Sequence, residues 1–206
     1  MLDAYHRDGE HKEALEITNS LVEQFPENTI ALRNQARAMN KLGGFATDAI
    51  LETYRKAVIV KFPGDYSALW YGSFLSDIGR LVDSVEAHVY ACTLDLDDPE
   101  CFSRLAQIMS DVVQPRNVWQ VNDENRPVPS FIDSESVIKS IMFAVDCPGY
   151  GASQKFICEQ ALRNIGFGIE ELGIRLEEAG ELTRTDRRNF VEPLYEKLKT
   201  GVTLKT

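Results

Sequence analysis

Four cysteines, three histidines and several paired carboxylates are the residues of this chain whose chemistry comes first to mind. Cys92, Cys101, Cys147 and Cys158 are spaced 9, 46 and 11 apart, which matches no zinc-binding pair. His6 and His11 lie far from them in the sequence, and His88 stands four residues before Cys92. The expectation is therefore free thiols in or near the core, with no metal and no cofactor. No Ser–His–Asp or Cys–His arrangement has a local signature. The pairs Glu170–Glu171 and Glu177–Glu178 read as a solvated helix face rather than as a paired acid and base. The acids of "LDLDDPE" fit a turn and a helix N-terminus, where carboxylates cap amides, and lack EF-hand spacing.

One segment, "DCPGYGAS", sets glycines before a helix expected to begin near Ser153, and helix N-termini bind anions. It lacks the GK[ST] ending of a phosphate loop and no strand precedes it. A proline–glycine turn joining two helices, with Ser153 as the cap, is the reading taken. Enzymatic activity is not expected.

The remaining chemically pointed feature is a basic stripe: Arg33, Arg37 and Lys41, four residues apart and so on one side of a helix. It stands in an acidic chain. Lys and Arg number 22 against 32 Asp and Glu, for a net charge of −10. Residues 1–113 carry −8 of that and 114–206 only −2. Such a balance argues against a nucleic-acid surface, since phosphate binding is dominated by basic side chains. No apolar run of about 18 residues and no basic leader is seen, so a cytoplasmic protein with no membrane segment is expected.

The elements that carry the stripe recur. Gly9, Gly43 and Gly79 are 34 and 36 apart; Ala14, Ala49 and Ser84 are 35 and 35 apart; Leu21, Ala57 and Ala91 are 36 and 34 apart. Each unit ends at a polar or proline stop: "FPEN", "FPGD", "LDDPE". A period near 35 residues implies stacked helix pairs. In the first unit Ala14, Ile17, Leu21 and Phe25 share one helical face, and Pro26 ends the helix. Gly72, inside a helix of the third unit, predicts close approach of a partner helix.

These residues resemble the tetratricopeptide repeat (TPR) family: Tyr5, Gly9, Ala14 and Pro26 in an incomplete first unit; Leu32, Ala36, Gly43, Tyr54 and Ala57 in the second; Gly72, Gly79 and Ala91 in the third. Phe102, Leu105, Ala106 and Met109 then stand where the first helix of a fourth unit would place them. The resemblance covers residues 1–113 and implies an all-α fold: a short right-handed helical-hairpin solenoid followed by a helical C-terminal region. The chain departs from the family pattern in about two extra residues in the second unit and in His88, which stands where an aromatic is usual and is expected in the core.

Residues 114–132 hold three prolines and no helical period, an irregular crossover that Trp119 and Phe131 would pin down. In 133–206, Asp133 is expected to cap a helix. Residues 153–180 carry one apolar face interrupted by Gly166, Gly168 and Gly173, which is one kinked helix or two. Phe190, Leu194 and Leu198 form a last face, with Pro193 inside it.

Stacked helix pairs present a concave groove lined by the first helix of each unit. The residues at groove-facing spacing are Ile30, Arg33, Arg37, Asn40 and Lys41 in the second unit. Leu69, Ser73, Ser76 and Asp77 follow in the third, and Ser103, Gln107 and Ser110 in the fourth. The basic stripe resembles in residue type the cations with which some TPR grooves hold a peptide carboxylate, although the third unit offers no basic partner. A solvated charged face is the alternative. The expected work is that of an interaction scaffold binding another protein or peptide, one with an acidic segment. Two other readings stay open: a regulatory or catalytic region at 133–206 mounted on the repeats, and a homo-oligomer formed through the incomplete first repeat.

Overall fold

The structure is a computed structural model, and it describes residues 10–59, 66–114 and 128–199. Tyr5, His6, Gly9, the "FPGD" stop and Trp119 lie outside these residues. Among the described residues the chain is all-helical, with ten helices and no strand. They are α1 (His11–Gln24), α2 (Thr29–Leu42), α3 (Thr47–Ile59), α4 (Ser67–Asp77) and α5 (Leu81–Leu94). The others are α6 (Pro99–Val113), α7 (Ser134–Asp146), α8 (Ala152–Ile165), α9 (Ile169–Ala179) and α10 (Arg184–Leu198). Successive helices pack on one another, α1 on α2, α2 on α3, α5 on α6 and α6 on α7, as they do in a solenoid of helical hairpins.

The chain divides into two compact units at Tyr71/Gly72, inside α4. This division differs from the sequence ranges 1–113 and 133–206. Helices α6 and α7, on either side of residues 114–132, pack on each other more extensively than any other pair among the described residues.

In the first unit, α1 ends at Gln24, just before Pro26, and Asn28 caps α2 by accepting the Ala31 N–H at 3.0 Å. The buried face of α1 is Ala14 and Thr18, with Ile17 and Leu21 half-buried. Phe25, assigned to that face by its spacing, is instead 57% exposed. It is the C-cap residue, with φ −136°, so its backbone has already left the helix and its side chain with it. Tyr54 of α3 and Tyr71 of α4 meet with ring centroids 6.0 Å apart.

In the second unit, every residue of α5 from Leu81 to Cys92 is buried. Helices α6 and α10 cover it. Two of its polar side chains are satisfied locally: the Ser84 hydroxyl donates to the Gly72 carbonyl at 2.7 Å, and His88 Nδ1 donates to the Ser84 carbonyl at 2.8 Å. Burial lowers the His88 pKa to about 4 and keeps the ring neutral. His88 is thus a core residue.

Helix α6 starts at Asp98, whose carboxylate accepts the Glu100 N–H at 2.9 Å, with Pro99 in the first turn. Asp133 caps α7 through the Ser136 N–H at 2.9 Å. Helix α8 begins two residues earlier than a Ser153 cap would place it. Its N-cap is Gly151, not Ser153, and the Gln154 side chain accepts the Gly151 N–H at 3.2 Å. The apolar face of 153–180 belongs to two helices, because Gly166 takes φ 69° and ends α8. Helix α10 runs through Pro193.

Candidate functional site

The α2 stripe is built by a helix whose other face is spent on packing. Ala31, Leu32, Ala36, Ala38 and Met39 are buried, and Asn34, wholly buried, donates to the Ile30 carbonyl at 2.9 Å. Of the residues expected in the groove, Ile30 and Lys41 are exposed and Asn40 is half-buried. Arg33 is only 8% exposed. Arg37 places its guanidinium 4.3 Å from the centre of the Trp70 ring, a cation–π contact. Leu69, beside Trp70 on α4, is buried. The three basic residues are therefore in three different environments. Of the three only Lys41 is exposed, and Trp70 is a member that spacing did not single out.

The remaining groove positions lie in the second unit. Ser73 and Ser76 are half-buried and Asp77 is exposed. Ser103 and Ser110 are buried, their hydroxyls donating to the Glu100 carbonyl at 3.1 Å and the Gln107 carbonyl at 2.7 Å. Gln107 is half-buried, 3.4 Å from both carboxylate oxygens of Asp111. Both ends of α6 meet α8: the Asn164 amide donates to Ser110 Oγ and Asp111 Oδ1, each at 2.9 Å, and the Gln154 amide donates to Glu100 at 2.8 Å. The polar row of α6 thus serves to seat α8.

A third arrangement fastens α10. The Arg187 side chain, 6% exposed, reaches Asp97 at 3.0 Å and Asp146 at 2.5 Å, and also donates to the Asp146 carbonyl at 3.2 Å. It ties α10 to the turn before α6 and to the end of α7. Beside it Phe190 meets Phe143 with centroids 5.4 Å apart, and Tyr195 meets Tyr90 at 5.3 Å. Nothing in the spacing of "TRTDRRNF" separates Arg187 from Arg184 or Arg188, so the sequence holds no signal for it.

The four thiols are free and buried. Burial pushes Cys147 and Cys158 each up to about 12. Cys101 is raised well above an ordinary thiol, first by its contact with Cys92 and then by burial. Such thiols are poor nucleophiles. Among the described residues no group of three or more His, Cys, Asp or Glu is placed to hold a metal.

A cleft lies within the region 133–206. It has a volume of about 330 Å³ between α7 and α9 and is lined by Met142, Phe143 and Leu182 together with charged residues of both helices. It is apolar inside, unlike the polar pocket near "CPGYG" that a catalytic reading would want.

No helix among the described residues is long and apolar enough to cross a membrane. No protein-family model matches the chain, and a search of curated proteins finds no match.

Proposed function

We propose that the chain is a protein–protein interaction module of the TPR kind, working in the cytoplasm, with the outer face of α2 as its contact surface in the first unit. The observation that carries this reading is the Arg37–Trp70 contact flanked by exposed Ile30 and Lys41. A stacked guanidinium is held in place before a ligand arrives, so less side-chain entropy is lost on binding, and aromatic and arginine anchors dominate many interfaces. Ile30 supplies an apolar contact and Lys41 a solvated cation that favours an acidic segment. The period near 35 residues and the pairing of successive helices support the repeat reading.

The test is fluorescence anisotropy with a pool of acidic peptides, comparing the intact chain with Ile30→Asp and Lys41→Glu. Both positions are exposed, so the variants should keep the wild-type circular dichroism. Loss of peptide binding in both, and weaker binding at higher salt for the intact chain, is the expected result. Equal binding by all three chains would remove α2 from the contact surface.

A further inference from the structure

The charged side chains that line the cleft between α7 and α9 are only half paired among themselves. Four charged side chains line it, two of each sign. Glu135 and Arg175 are taken by each other, 3.2 Å apart. Lys139 and Glu178 make no ion pair or hydrogen bond with the described residues, and they stand on opposite helices. The other lining residues are apolar, with Met142 and Phe143 buried and Leu182 half-buried.

Helix α9 holds this cleft with little apolar surface of its own. Leu172 is its one buried residue, while Ile169 and Ile174 are 57% and 56% exposed, and its main contact is with α7. Its C-cap is Gly180, at φ 65°, and Gly166, at φ 69°, ends the helix before it. The Arg175–Glu135 pair is its only ion pair to α7 among the described residues. A volume of about 330 Å³ falls at the lower end of small-molecule sites, which run from about 300 to 1,000 Å³.

We propose that the α7–α9 cleft binds a small zwitterion with an apolar body, a free α-amino acid with a large aliphatic or aromatic side chain. The side chain rests on Met142, Phe143 and Leu182, the carboxylate is met by Lys139 and the ammonium by Glu178. A simple anion would leave Glu178 facing its carboxylate in a chain of net charge −10, and a simple cation would leave Lys139 unmatched. Opposite charges on one ligand match both.

The test is a titration of the isotope-labelled full chain, followed by amide chemical shifts, with L-leucine and L-phenylalanine. N-acetyl-leucine, leucinamide and glycine serve as controls that lack the ammonium, the carboxylate and the side chain in turn. The expected result is saturable shifts confined to residues 135–143 and 169–182, with each control binding about fivefold or more weakly. Lys139→Gln should erase the preference for leucine over leucinamide, and Glu178→Gln the preference over N-acetyl-leucine. Both residues are exposed, so neither change should unfold the chain. No saturable shift overturns the proposal, as does equal binding of all the leucine derivatives. Tighter binding of N-acetyl-leucinamide than of leucine also overturns it, and would point to the inserted side chain of a protein partner.

Discussion

The imidazole of His88 fills the space into which a side chain at Gly72 would project: a Cβ there would lie 2.4 Å from Nδ1 and 2.5 Å from Cε1. The ring cannot retreat without breaking its bond to the Ser84 carbonyl. Gly72→Ala should therefore cost about 1–3 kcal/mol, the usual range for overpacking a core. Denaturant unfolding of Gly72→Ala, and of Gly72→Ala combined with His88→Ala, measures it. The second change should cost less in the alanine background than alone, because the clash goes with the ring.

The same ring gives stability a pH dependence. Unfolded, His88 titrates near 6.5; folded, burial holds it at about 4. Above 6.5 both states are neutral and the group contributes no slope. As pH falls from 6.5 towards 4 the unfolded chain binds the proton first, and stability drops by up to about 1.4 kcal/mol per pH unit. Below about 4 the native ring protonates as well and the loss levels off, at about 3 kcal/mol in all. Unfolding curves between pH 7.5 and 4 read this slope, and in His88→Gln the same interval should be flatter.

Arg187 holds α10 by partners 90 and 41 residues away. Arg187→Ala leaves Asp146 without its cation and leaves Asp97 with Arg184 alone, 3.5 Å away. Both carboxylates keep partial solvent contact, so the cost should be about 2–3 kcal/mol, below that of a fully buried pair. Hydrogen exchange should show the loss in 184–198 before the rest of the second unit opens.

The four thiols should resist alkylation in the native chain. Their burial and the raised pKa of Cys101, Cys147 and Cys158 both act against thiolate formation. Mass spectrometry after iodoacetamide at pH 8 should find little native labelling and four modified cysteines in denaturant. Rapid native labelling of any one of them would mark a site that opens.

By itself the sequence determined what depends on neighbours along the chain. Asp133 caps a helix because its carboxylate meets an N–H three residues on, and α1 stops just before Pro26 because proline has no N–H to continue it. Gly72 was legible as a close approach, since a glycine kept inside a helix needs such a reason. Four-residue spacing placed Arg33, Arg37 and Lys41 on one side of α2, but periodicity carries no information on what stands opposite. Only the tertiary structure decided that Arg33 is buried, that Trp70 receives Arg37, and that α8 takes up Ser110. The return of α10 onto α5 and the cleft between α7 and α9 are of the same kind. They arise from packing between segments tens of residues apart, which shape complementarity selects and which no local pattern encodes.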